Sequence, residues 1–209
     1  MNNFLSILAL SIGLVSTTVP ALADDLHLVS DSSQSVGGED VYPYNFNVSG
    51  APSLTALMCL DFNRRITFGE TWNVNIVSIP LDNAQNSIKY RADAWIFSQL
   101  GAYTNADVQY AAWDIFDPAD VNGHAGFDAS AQSLATSGLA MATNQTLLDS
   151  GFFSHFSLYL PTSDQTGWTA GQPQEFIGSA QAPEPSSLFL MGTGLIGAAG
   201  ALRRKLVRA

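Results

Sequence analysis

The chain contains one cysteine, Cys59, and a thiol is the most nucleophilic side chain that this sequence offers. Cys59 lies in the segment 54–62, which is apolar on both faces and therefore predicts a central strand buried on two sides. Gln109 lies at the edge of the apolar stripe of a predicted helix, one turn before Trp113. Because a buried thiol and a half-buried amide both need partners, we predict that the side chains of Cys59 and Gln109 meet.

The segment 108–113, taken together with Cys59, resembles the thioester domains of Gram-positive surface adhesins. In that family a strand cysteine and the glutamine of a Thr-Gln-x-Ala-Ile-Trp helix form an internal thioester. Val108 and Ala112 stand where the family has threonine and isoleucine. The resemblance implies a thioester between Cys59 and Gln109 that couples to amines or hydroxyls on a target.

The resemblance covers roughly residues 58–118, and the chemistry of the two side chains agrees with it. A thiolate that attacks the amide of Gln109 expels ammonia and leaves an acyl group, which survives only where water is excluded. Apolar packing around the helix would exclude water. The alternative is that Cys59 packs as a small hydrophobic residue and Gln109 joins the helix to a strand.

No other pattern in the sequence indicates catalysis. The chain has no Gly-x-Ser-x-Gly motif and no glycine-rich phosphate loop, and its histidines, His27, His124 and His155, are scattered. The loop 120–123 matches part of a calcium loop but lacks the acidic residues at its two ends, so a plain turn is the better interpretation. We predict that the protein is not an enzyme and that it holds no metal and no cofactor.

Short strands are predicted on both sides of the cysteine. Tyr44, Phe46 and Val48 alternate with asparagines, which is typical of a half-buried strand. The segment 66–76 predicts a β-hairpin that ends before Pro80. Further short strands are predicted at 26–29, 152–160 and 174–178.

Helices are predicted in the middle of the chain. The first begins near Asn86 and ends at Gly101, and the second begins at Thr104, where Asp107 completes a capping box. A third, weaker helix is predicted over residues 129–144. The predicted fold class is α+β, with short antiparallel strands packed against a helical hairpin and a third helix, plus an N-terminal signal and a C-terminal membrane helix.

The charge of the chain excludes one class of partner. Of its 18 acidic residues only Glu184 lies beyond position 182, whereas four of its 8 basic residues do, namely Arg203, Arg204, Lys205 and Arg208. The remainder is therefore strongly acidic and repels phosphate backbones. We predict that the protein does not bind nucleic acid.

The N-terminus predicts export. Residues 4–19 are apolar, and they are followed by Ala21-Leu22-Ala23, the small residues that signal peptidase requires. The segment carries no Lys or Arg at its start, which departs from the usual signal peptide. We predict a signal peptide at 1–23, an exported α+β domain at 24–178 and a linker at 179–185.

The C-terminus predicts a membrane segment. Residues 186–202 contain no charge and would span about 26 Å as a helix, just under a bilayer core of about 30 Å. The basic end, 203–209, places the extreme C-terminus in the cytoplasm. Preceded by Pro183-Glu184-Pro185, this tail resembles the PEP-CTERM sorting signal of Gram-negative bacteria. The resemblance implies recognition and cleavage by an exosortase, and an ordinary single-span anchor is the alternative.

Together these features predict a membrane-anchored precursor that is processed and then lies in the cell envelope, on the cell surface or in the extracellular matrix. Its expected partners are signal peptidase, the exosortase, the membrane and an envelope polysaccharide or other surface component. Two functions fit this location. The protein is either a non-catalytic structural or adhesion protein, or a covalent adhesin that uses the thioester of Cys59 and Gln109.

Overall fold

The computed structural model of the protein describes residues 24–162, residues 173–180 and Gly194. The strands are β1 Asp24–Ser30, β2 Ser35–Val36, β3 Glu39–Asp40, β4 Tyr44–Val48, β5 Thr55–Cys59, β6 Thr71–Ser78, β7 Phe156–Pro161 and β8 Phe176–Ser179. The helices are α1 Gln85–Phe97, α2 Asn105–Phe116, α3 Pro118–Val121, α4 Ala129–Ala142 and α5 Gln145–Asp149, and a short 3-10 helix covers Phe152–His155.

Six of the strands close into an antiparallel barrel in the order β1-β4-β5-β8-β7-β6, and β1 pairs with β6 to complete the circle. The predicted alternation in β4 is confirmed, because Tyr44, Phe46 and Val48 are buried while the asparagines between them are partly exposed. Aromatic rings fill the interior, where the centroid of the Phe46 ring lies 5.7 Å from that of Trp72 and 4.8 Å from that of Phe176. Strands β2 and β3 form a separate small hairpin.

The three longer helices pack together on one side of the barrel. The predicted capping box is present at the start of α2, where Thr104 and Asp107 exchange side-chain and main-chain hydrogen bonds. Helix α4 contacts both α1 and α2. Gly138 of α4 lies so close to α1 that an added Cβ would approach Ile96 to 2.8 Å, so the glycine that weakens the helix also permits its packing.

Strand β5 lies between the two hydrophobic cores of the protein. Met58 and Leu60 belong to the core that the barrel shares with the helices, while Leu57 and Cys59 belong to the core inside the barrel. Because successive strand residues point to opposite faces, this division is the two-sided burial predicted for the segment. The predicted α+β class is therefore confirmed, with a closed barrel as its β component.

The predicted hairpin over residues 66–76 is wrong. Only Thr71–Ser78 forms a strand, and its two edges are already taken by β1 and β7. Residues 66–70 form a loop instead, in which the Glu70 carboxylate accepts a hydrogen bond from the main chain of Thr67 at 2.6 Å. The segment after α2 also differs, because residues 118–121 form a short helix.

The predicted signal peptide, residues 1–23, lies outside the described residues, as does the predicted membrane helix, residues 186–202, apart from Gly194. Among the residues that the structure describes, none of the helices combines the length and apolar composition needed to cross a bilayer. The predicted linker, 179–185, is described only at its first two residues.

Trp113 is a large buried side chain whose truncation should destabilise the fold strongly. It is 3% exposed, and the centroid of its ring lies 5.2 Å from that of Phe62 and 5.1 Å from that of Tyr110. We expect Trp113→Ala to lower the free energy of unfolding by about 3 to 5 kcal/mol, measured by chemical denaturation. Trp95 is only partly buried, so Trp95→Ala serves as a matched control with a smaller loss. Equal losses for the two variants would contradict this interpretation.

A buried carboxyl group on α1 predicts how stability depends on pH. Asp93 has no exposed surface, and within the described residues neither of its carboxyl oxygens has a hydrogen-bond partner. Burial raises the pKa of Asp93 well above its ordinary value, with Lys89 opposing the shift and Glu175 adding to it. The folded protein therefore holds this proton more tightly than the unfolded chain does.

It follows that the stabilising effect of protonated Asp93 is complete below the ordinary aspartate pKa of about 4 and is lost as the pH rises through the raised pKa. We expect Asp93→Asn to gain stability relative to the natural protein as the pH rises, and denaturation midpoints at several pH values will measure this. The buried amide has its own cost, which does not depend on pH, so only the slope is informative. The exposed Asp25→Asn is the control, and parallel curves for Asp93→Asn would refute the prediction.

Candidate functional site

Cys59 is the last residue of β5, and its sulfur lies in the barrel core at the end that faces α2. The residue has no exposed surface, and its thiol donates a hydrogen bond to the main-chain oxygen of Asp61 at 3.2 Å. Burial raises the pKa of the Cys59 thiol to about 12, although the nearby Trp113 side chain and the hydrogen bond with the main chain of Asp61 oppose the shift. At neutral pH the free thiol is therefore protonated.

The structure brings Gln109 of α2 to Cys59. The Gln109 amide is also fully buried, and its Nε2 donates to the main-chain oxygen of Cys59 at 2.7 Å. Its Oε1 is buried too and has no hydrogen-bond partner among the described residues. The two residues that the sequence paired are thus in direct contact across 50 positions of chain, through the Gln109 amide and the Cys59 main chain.

Helix α2 closes the end of the barrel beside this contact. Tyr110 and Trp113 belong to the barrel core, and Val108, Ala111 and Ala112 face the helical core. Because the 3.6-residue period puts Gln109 and Trp113 on one side of the helix, the ring of Trp113 lies one turn below the amide. The contact between Cys59 and Gln109 is therefore sealed from water by the two cores that meet at α2.

A polar network holds the small β2–β3 hairpin against the same helix. The Tyr110 hydroxyl donates to the main-chain oxygen of Val36 at 2.7 Å and lies 2.9 Å from Nδ1 of His124. Glu39 of the hairpin pairs with Arg65 of the loop after β5, and this ion pair lowers the pKa of Glu39. The loop and the hairpin thus cover the barrel end together.

Two cavities open near the contact. One is lined by Leu60, Asp61, Arg64, Asn86, Tyr90, Phe116, Asp117 and Glu175, and has a volume of about 240 Å³. Burial raises the pKa of Asp61 in this cavity, and the guanidinium of Arg64 at 2.8 Å opposes the shift. The second cavity, beside Gln174, has a volume of about 100 Å³.

Several residues around the contact were not identified from the sequence. Asp117, which the sequence marked only as the end of α2, accepts a hydrogen bond from the main chain of Phe62 at 2.9 Å and so anchors the loop after β5. Gln174 donates to the main chain of the same loop. No sequence signal could have found these roles, because a single polar residue in a loop does not indicate its distant partner.

The sequence predicts no metal site. Among the described residues, no group of three or more His, Cys, Asp and Glu side chains lies close enough to hold a metal ion. Asp120 of the partial calcium loop instead accepts a hydrogen bond from Asn63 at 2.8 Å. The absence of a bound cofactor stays a prediction.

The predicted sorting residues, Pro183, Glu184, Pro185, Arg203, Arg204 and Lys205, lie outside the described residues, but comparison with known families covers them. The family model of the PEP-CTERM protein-sorting motif matches residues 181–205, which include all six. No curated protein and no solved structure matches the chain. The chain therefore carries the PEP-CTERM sorting motif, which implies an exported protein that is made as a membrane-anchored precursor and processed by an exosortase.

Proposed function

We propose that this exported, exosortase-sorted protein is a covalent adhesin, in which Cys59 and Gln109 form an internal thioester that a target molecule opens. The observation that carries the proposal is the contact between the two residues. The Gln109 amide is fully buried, donates to the main-chain oxygen of Cys59 at 2.7 Å and leaves its own oxygen without a partner among the described residues. A glutamine that only joined α2 to the barrel would gain this hydrogen bond but would leave its buried oxygen as an uncompensated cost.

The reaction has two balanced steps. In the first, the Cys59 sulfur attacks Cδ of Gln109, a C–S bond forms, the C–N bond breaks, and ammonia leaves with the thiol proton. In the second, an amine or hydroxyl of a target attacks the same carbon and the C–S bond breaks. The target is then bound to the Gln109 acyl group, and Cys59 regains a thiol.

Burial slows the formation of the thioester but protects the thioester once it has formed. The raised pKa of Cys59 disfavours the thiolate and slows formation of the thioester. The thioester itself carries no charge, and the same burial protects it from water. A protein that reacts once, after slow maturation, can tolerate the first effect and needs the second.

A non-catalytic structural or adhesion protein is the second candidate function. The observation that favours it is the raised pKa of Cys59, because a protonated and fully buried thiol is typical of a cysteine that serves only packing. In that case the contact with Gln109 joins α2 to the barrel and does no chemistry.

The intact mass of the chain isolated from the cell envelope distinguishes the two functions. We expect a mass lower than that of the processed sequence by one ammonia, and no thiol that reacts with an aromatic disulfide reagent after unfolding in acid. Treatment with methylamine should add the mass of methylamine and expose one thiol. An unmodified mass with one reactive thiol would support the structural role and exclude the thioester.

A further inference from the structure

Two buried polar atoms on α2 have no hydrogen-bond partner among the described residues, and their chemistry is complementary. One is Oε1 of Gln109, which can only accept a hydrogen bond, and the other is Nε1 of Trp113, which can only donate one. Gln109 has no exposed surface and Trp113 is 3% exposed. Unpaired buried groups are costly, so a donor and an acceptor left unpaired on the same helix call for an explanation.

Helix α2 carries both groups on one side, next to Cys59. Gln109 and Trp113 are four residues apart, and side chains with this spacing lie on the same face of a helix. A helical side chain leans toward the N-terminus of its helix, so the indole of Trp113 covers the turn that carries Gln109. Burial raises the pKa of the Cys59 thiol, and the Trp113 side chain opposes this rise, which agrees with an indole close to the sulfur. The Trp113 N–H therefore lies beside the two groups that would react.

The proposed thioester chemistry places a negative charge on the Gln109 oxygen in both of its steps. When the Cys59 sulfur attacks Cδ of Gln109, the π electron pair of the carbonyl moves onto Oε1, which becomes an oxyanion. The C=O bond re-forms as the C–N bond breaks, and ammonia leaves with the thiol proton. When a target amine later attacks the same carbon, Oε1 carries the charge again until the C–S bond breaks and the sulfur takes up the amine proton.

An oxyanion at this position needs a donor inside the protein. The Gln109 side chain is fully buried, and a charge that forms away from water is costly unless a hydrogen bond compensates it. In the resting amide, Oε1 accepts no hydrogen bond from the described residues. A donor that bonds only to the charged intermediate lowers the barrier, because only interactions that are stronger in the transition state than in the resting state accelerate a reaction.

We propose that the indole N–H of Trp113 donates a hydrogen bond to this oxyanion, which makes Trp113 a catalytic residue in both steps. The inference rests on the proposed function, because no oxyanion forms without the thioester chemistry. The Trp113 N–H has no acceptor to give up among the described residues, so donation to Oε1 breaks no other bond of theirs. This role adds to the packing of the Trp113 ring against Phe62 and Tyr110.

The test removes the N–H and keeps the shape of the side chain. In the full-length protein, held in mild detergent, Trp113 is replaced by benzothienylalanine, in which a sulfur atom takes the place of the indole N–H. Intact mass measures the fraction of protein that carries the thioester and the rate of methylamine uptake, and chemical denaturation measures stability. We expect the replaced protein either to lack the thioester or to take up methylamine about 100-fold more slowly, with a nearly unchanged denaturation midpoint.

The same replacement at Trp72 is the matched control. Trp72 is 2% exposed and lies in the same barrel core, but it belongs to β6 and not to α2. We expect this control to carry the thioester and to react at the natural rate. An equal loss of rate at Trp72 would overturn the proposal, since it would show a general effect of packing.

Two further outcomes separate this inference from the proposed function. If the natural protein carries the thioester and replacement of Trp113 changes neither the thioester fraction nor the uptake rate, the role of Trp113 is overturned and the thioester stands. If the natural protein has no thioester, the proposed function is overturned and this inference with it.

Discussion

Cys59→Ala and Gln109→Glu should each abolish the covalent uptake of methylamine by the folded protein. Cysteine is the nucleophile of the first step and the leaving group of the second, and alanine can be neither. Glutamate keeps the shape of glutamine, but its carboxylate is not attacked by a thiol because it is negatively charged. We expect a complete loss in both variants, measured by intact mass after incubation with methylamine.

A matched control separates this chemistry from packing. Gln132 lies exposed on α4, and Gln132→Glu makes the same change of group and charge away from the contact. We expect Gln132→Glu to take up methylamine as the natural protein does. Chemical denaturation will show whether Gln109→Glu stays folded, since the buried carboxylate loses part of the hydrogen bonding of the amide. Uptake that persists in folded Cys59→Ala or Gln109→Glu would exclude the thioester.

The local features of this fold could be predicted from the sequence because they are carried by neighbouring residues. The alternation around Phe46 follows from the two-residue period of a strand, and the structure has it. The capping box follows from Thr104 and Asp107 lying three residues apart, and the structure has it too. Strand β5 is apolar on both faces because it separates two cores, and its sequence shows this directly. Physical patterns of this kind do not depend on the rest of the chain.

Closure of the barrel could not be predicted in the same way. It requires β8, more than 115 residues further along the chain, to pair with β5, where Met58 lies opposite Ile177. Nothing within either strand specifies this partner. The mistaken hairpin before Thr71 has the same origin, because alternation indicates a strand but does not show whether a free strand edge remains for it.

In the candidate site, too, the sequence indicates some residues and not others. Cys59 and Gln109 could be selected from the sequence because each is an unusual residue in an apolar setting. Asp93 and Gln174 could not, since the sequence does not tell which polar groups are buried or which partners they lack. The structure shows that both side chains are buried and which of their oxygens have no partner among the described residues.

Removal of residues 182–209 should release the protein from the cell envelope. This segment contains the uncharged stretch 186–202, the basic end and almost all of the sorting motif that matches 181–205. An apolar segment of about this length can hold a chain in a bilayer, so its loss should remove the anchor. We expect the truncated protein in the soluble fraction, measured by fractionation and immunoblotting, with full-length Cys59→Ala retained as the control.

Replacement of Pro183, Glu184 and Pro185 by alanine separates sorting from simple anchoring. This variant keeps the apolar stretch and the basic end, so a plain single-span anchor would behave like the natural protein. If an exosortase recognises the motif, the variant should accumulate as an unprocessed precursor in the membrane and should not reach the surface. Normal processing of the alanine variant would show that these three residues do not direct sorting. Retention of the truncated protein in the envelope, to the same degree as the full chain, would show that the exported domain and not the tail determines location.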